Sequence, residues 1–135
     1  MWRDHPLEGS DCVFERLVLK FPGRISRNGN MTLINALKNA IGVVTVNSNG
    51  GLEALSSGLP VRLLGQCYYA ALDGVCVDDE SFLRRCHSLN KHQRDDAISR
   101  DAHRFLRECF IPVNYRDNNF ENAYLVASML LTYLE

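Results

Sequence analysis

Apolar positions along the chain fall into short β-branched runs and longer stretches at helical spacing, divided by glycine, asparagine and proline. The clearest passage is residues 43–65, VVTVNSNGGLEALSSGLPVRLLG. The run of Val43, Val44 and Val46 predicts a strand buried on both faces. Ser48 or Asn49 can cap a following helix, whose short apolar face is Leu52, Ala54 and Leu55. Gly58 and Pro60 stop that helix, and residues 61–64 form a returning strand. The result is a βαβ unit with a glycine turn at the carboxyl end of its first strand. In open parallel sheets ligands sit at that end, and a helix N-terminus there favours an anion such as phosphate. Gly50 and Gly51 let backbone approach a ligand closely. The same residues also suit a plain tight connection between strand and helix.

The flanking pattern alternates helices with short apolar segments. A helix is expected over residues 10–19, with Val13, Phe14, Leu17 and Val18 on one face. Phe21, Pro22 and Gly23 end it, and residues 24–27 suit a short strand. A turn at residues 28–30 leads to a helix over 31–39, capped by Asn30 and lined by Leu33, Ile34 and Leu37. Residues 66–77 show no clear period and read as a long functional loop beside the ligand end. Asp78 caps a helix to about Cys86. Residues 91–110 read as a longer helix, with Ile98, Ala102, Phe105, Leu106 and Cys109 inward and a solvated charged face outward. Residues 120–134 form a last helix, apolar on more than one face and too short to span a bilayer. This alternation predicts an α/β fold with right-handed crossovers.

Composition narrows the function. The 135 residues suffice for one domain with its own core. A net charge of −1 with scattered Lys and Arg carries no nucleic-acid footprint. The first residues, MWRDHPLEG, carry no signal-peptide core, so the expected location is the cytoplasm, free or peripheral at the inner membrane. Five cysteines and four histidines lack metal-ligand spacing, so no metal is expected. Only Met1 to Asp4 precede the His5-Pro6 turn: either they form a short edge strand or the chain is a piece of a longer protein, and the second is the favoured expectation.

His5-Pro6, the run VVTVNSNGGLEALSSGLPVRLLGQCYY and the later Gly74 together resemble the capsular polysaccharide biosynthesis and export family of Gram-negative bacteria. The likeness is close from His5 to Gly74 and loose beyond. It implies a Rossmann-like three-layer domain forming one half of a GT-B glycosyltransferase, with additional C-terminal helices. On that reading residues 1–135 are a single α/β domain, with a nucleotide-sugar-binding core over 1–77 and helices over 78–135. The activity implied is transfer of Kdo from a CMP-activated donor to build the linker that joins a capsular polysaccharide to its lipid anchor. CMP-sugar is then a substrate, and no cofactor is needed. His5, Ser48, Asn49, Gly50 and Gly51 would hold the donor phosphate; Glu53, Tyr69 and Asp73 would face the nucleotide or sugar. Taken alone, His5 also suits a locally bonded turn residue, and Glu53 and Asp73 suit solvated positions.

The chain departs from the family pattern at Asn49, where a threonine is usual, at Ala70, where an aspartate is usual, and at residues 72–75, LDGV. No catalytic nucleophile or base stands out, so the catalytic carboxylate and acceptor contacts are expected from another half. The expected partners are the nucleotide-sugar donor, a polysaccharide or glycolipid acceptor, and a missing N-terminal domain or export-complex component. Two other functions fit the same residues. One is half of a UDP-sugar 2-epimerase-like protein, which typically carries an acidic pair where Leu52-Glu53 stands here. The other is a non-catalytic module binding polysaccharide or an export partner.

Overall fold

The computed structural model describes residues 12–26, 31–89 and 93–110. The chain divides into two compact units, Met1–Lys38 and Asn39–Glu135. In the first unit, helix α1 spans Cys12–Lys20 and α2 spans Leu33–Lys38. Phe14, Leu17 and Val18 are half-buried along α1, as their spacing requires, while Leu19 on the other face is exposed. Residues 24–26 are a turn and irregular chain rather than a strand: Arg24 N–H bonds back to the Phe21 carbonyl, and Gly23 adopts a φ of 72°. Thr32 stands at the start of α2, its Oγ1 accepting the Asn35 N–H at 3.3 Å. Leu37 is buried, with Leu33 one turn before it half-buried. Ile34, about a third of a turn away, is exposed instead of inward. Asn30 and residues 27–30 lie outside the described residues, as does the expected helix over 120–134.

The second unit is built on a three-stranded sheet in the order β1-β2-β3, all parallel. β1 is Val43–Thr45, β2 is Val61–Leu63 and β3 is Val75–Cys76. Val43 pairs with Val61 and Val61 with Val75, which puts Val44, Arg62 and Cys76 together on the opposite face. Helix α3, Asn49–Ser56, joins β1 to β2 as the crossover and packs on the Val43 face. Helix α4, Asp79–Ser88, covers the Arg62 and Cys76 face. Helix α5, Asp96–Cys109, lies along α3. The layers are those of a Rossmann-like α/β unit with a small open sheet.

Two features differ from expectation. β3 falls within residues 66–77, read above as loop; two residues are too few to show a period. β1 is not buried on both faces, and among the described residues it pairs on one side only, with β2. Val44 is 55% exposed and Val46 is 57% exposed. The core proper is Leu52, Ala54, Leu55, Leu59, Val61, Leu63, Tyr69, Cys76, Cys86, Ile98 and Ala102, all buried.

The helix ends explain the sharp corners. Gly58, at φ 72°, ends α3 in a Schellman arrangement, with Gly58 N–H bonded to Leu55 O and Leu59 N–H to Ala54 O. The Asp95 N–H returns to Gly58 O at 3.0 Å, and Ser99 Oγ donates to Ser56 O at 2.9 Å. These bonds fasten the start of α5 to the end of α3. α5 begins at Asp96, later than its sequence pattern implies, because Asp95 is the cap, accepting from Ala97 and Ile98 N–H. On the other face, Phe82 and Cys86 crowd Gly42, and Asp79 pairs with Arg62 at 2.8 Å. Burial and the neighbouring Cys76 hold the Cys86 thiol above its ordinary range. Among the described residues, no helix is long and apolar enough to cross a membrane.

Candidate functional site

Parallel β1 and β2 both point their carboxyl ends to the same edge of the sheet. The turn after β1 and the chain after β2 must therefore meet there. Ser48 caps α3 in extended backbone, φ −76° and ψ 145°, and its Oγ accepts the Gly50 N–H at 3.1 Å. The Ser48 N–H in turn reaches Thr45 Oγ1 at 3.3 Å. The Ser48 carbonyl accepts from Gly51 N–H at 2.9 Å and from the Tyr69 hydroxyl at 2.5 Å. Beside it, the Tyr68 hydroxyl donates to Asn49 Oδ1 at 2.9 Å. Cys67 Sγ lies 3.8 Å from the Asn47 carbonyl. Residues 67–69 thus strap the turn at three successive positions, 47, 48 and 49.

The strap assigns different work to two adjacent tyrosines. Tyr69 is fully buried, and its hydroxyl occupies the space where a Gly51 side chain would begin. Tyr68 is 53% exposed. Its ring is held edge-on by Tyr69 at 5.1 Å, stacked on Phe105 at 6.2 Å and tilted against Phe110 at 5.8 Å. Removal from water, with Cys67 nearby, keeps both phenols above their ordinary pKa, so both are neutral donors.

Of the residues expected at a donor site, the structure gathers Ser48, Asn49, Gly50, Gly51 and Tyr69. Ser48 and Asn49 are exposed and Gly50 half-exposed. The N–H groups of Gly50 and Gly51 are both engaged within the turn. On these two exposed residues three donors have no acceptor among the described residues: the Ser48 hydroxyl hydrogen, the Asn49 N–H and the Asn49 carboxamide NH2. The first turn of α3 contains no acidic residue, so the positive end of its dipole is not neutralised. Glu53 is exposed, one turn further along α3. Tyr69 is enclosed and holds the turn from beneath rather than facing outward.

Asp73 is not brought to this edge. It immediately precedes Gly74 and β3, and since β3 runs parallel to its neighbours it lies at the amino ends of the strands. There its Oδ1 accepts from Gly74 N–H and from Arg85 Nη2 at 2.9 Å, while its own N–H donates to Asp101 Oδ2. His5 lies outside the described residues. Tyr68 was not singled out by sequence, though its position just past the second strand of a parallel pair was the available signal. Among the described residues, no three of His, Cys, Asp or Glu are grouped to hold a metal ion.

These elements define a Rossmann-like α/β unit with a capped, donor-bearing turn at the carboxyl edge of its sheet. Residues 17–112 match the capsule polysaccharide biosynthesis protein family, and the chain belongs to it. It is similar to the capsule polysaccharide modification protein LipB of Neisseria meningitidis, in both a serogroup A and a serogroup B strain. Each is 30% identical over 74 residues, covering 50% of this chain and 18% of the relative. The chain thus matches under a fifth of those relatives' length. No solved structure matches it.

Proposed function

We propose that this chain is the nucleotide-sugar-binding half of a GT-B type glycosyltransferase that uses a CMP-activated sugar in capsular polysaccharide biosynthesis. The observation that carries the reading is the set of donors without an acceptor among the described residues on exposed Ser48 and Asn49, at the unneutralised start of α3. Transfer breaks the bond between the anomeric carbon and a phosphate oxygen, and the electron pair leaves with the phosphate. The acceptor hydroxyl forms the new bond and gives its proton to a carboxylate on the other half of the enzyme. Fixed hydroxyl and amide donors stabilise the leaving charge without reorganising. His5 would add a second contact to the phosphate, and Glu53 a hydrogen bond to a ribose or sugar hydroxyl. The polysaccharide or glycolipid acceptor, and any export-complex partner, would meet the donor from that other half.

Isothermal titration of CMP, a CMP-sugar and a UDP-sugar into the chain tests this. Binding of CMP and CMP-sugar that weakens in Ser48→Ala and His5→Ala supports it. Preference for the UDP-sugar moves the chain to the epimerase-like reading. Absence of any nucleotide binding leaves a module that binds polysaccharide or an export partner.

A further inference from the structure

We infer that Tyr68 is a positioning residue, fixing the Asn49 carboxamide with its NH2 toward the donor phosphate; the inference rests on the phosphate reading above. A carboxamide carries an acceptor and a donor of nearly the same shape, and turning it over presents the wrong one. With the oxygen outward, Asn49 would repel a phosphate; with the NH2 outward it donates to it. The Tyr68 hydroxyl lies 2.9 Å from Oδ1 and donates there, which occupies the oxygen and leaves the NH2 for the anion. A phenol is a better donor than acceptor, so the arrangement favours this orientation. The chain from phenol to carbonyl to NH2 to phosphate also polarises in one sense, each bond strengthening the next.

The ring is held in advance. Tyr68 is half exposed, yet its ring packs against Tyr69, Phe105 and Phe110. Phe105 and Phe110 also pack on each other, at 5.7 Å. These ring contacts restrict the side chain and hold its hydroxyl at the Asn49 carboxamide. The adjacent Tyr69 secures the backbone of the same turn, so the two rings divide the work between main chain and side chain.

The test is a four-member set titrated with CMP: wild type, Tyr68→Phe, Asn49→Thr and the double variant, with thermal melts to establish folding. A threonine hydroxyl rotates to donate without help. Tyr68→Phe alone should weaken CMP binding by about three- to tenfold. In the Asn49→Thr background the same change should have no effect. A purely structural role for Tyr68 would give equal losses in both backgrounds, which overturns the inference, as does wild-type affinity in Tyr68→Phe. Those outcomes leave the phosphate reading intact, whereas failure of the wild type itself to bind CMP removes both.

Discussion

The Tyr69 hydroxyl stands where a Cβ on Gly51 would be, and from that position it donates to the Ser48 carbonyl at 2.5 Å. A methyl group at 51 would also fall 3.0 Å from Tyr69 Cζ and 3.1 Å from Thr45 Cγ2. The ring is fully buried and cannot withdraw. Gly51→Ala should therefore destabilise the protein within the overpacking range of about 1–3 kcal/mol, despite the better helix propensity of alanine. Tyr69→Phe removes the atom in the way, so the glycine substitution should cost less in that background. Urea denaturation of the two single variants and the double variant measures the coupling. Additive effects would mean that the hydroxyl is not what excludes a side chain at 51.

Ser48 has two separable roles. As the cap of α3 it accepts the Gly50 N–H, and its hydroxyl hydrogen remains free for a ligand. Ser48→Ala should lose both, with roughly 1 kcal/mol of stability. Ser48→Asp keeps an acceptor for Gly50 and suits a helix N-terminus. It should melt close to the wild type, yet its carboxylate should repel the phosphate of CMP. A Ser48→Asp protein that binds CMP normally would remove the phosphate from this turn.

The βαβ unit was legible because each of its signals is local. Ser48 caps, Gly58 terminates in the left-handed region, and Val61 and Leu63 are buried as their run implies. The strap was not legible as such, since it depends on which residues two parallel strands deliver to the same edge. The family resemblance set Tyr69 beside the ligand and gave Tyr68 no role; in the structure Tyr69 is buried and Tyr68 is the half-exposed one. β1 misled for a related reason. Val43, Val44 and Val46 read as a strand buried on both faces, and nothing in the run itself reveals that Val44 and Val46 are more than half exposed.

Asp73 tests the direction of the sheet. The resemblance sets it with the donor residues, in a loop read as lying beside the ligand end, but the chain crosses to the amino ends of the strands before reaching it. Its partner is Arg85 on α4, with both side chains about two-fifths exposed. Exposed pairs of this kind contribute about 0–1 kcal/mol. Asp73→Asn should therefore lower stability only slightly and leave CMP affinity at the wild-type value by calorimetry. A clear loss of affinity with an unchanged melting temperature would place Asp73 at the ligand after all.

Asp78 gives the fold a dependence on acid that is separate from any ligand. Its Oδ1 accepts the Ser81 N–H at 2.8 Å and its Oδ2 the Ser81 hydroxyl at 2.9 Å, capping α4. These bonds, the backbone one foremost, hold the carboxyl below its ordinary value in the folded protein. The sign follows from proton counting. Near the ordinary carboxylate pKa the unfolded chain binds the proton and the folded chain does not, so lowering the pH favours unfolding. The contribution of Asp78 is complete above the unfolded pKa and disappears as pH falls through the lower, folded one. Asp78→Asn retains a capping oxygen but has no proton to gain. Melting temperatures of wild type and Asp78→Asn should therefore differ most at neutral pH and converge below about pH 4. A gap that stays constant through the acid range would show that the charge on Asp78 adds nothing to its hydrogen bonds.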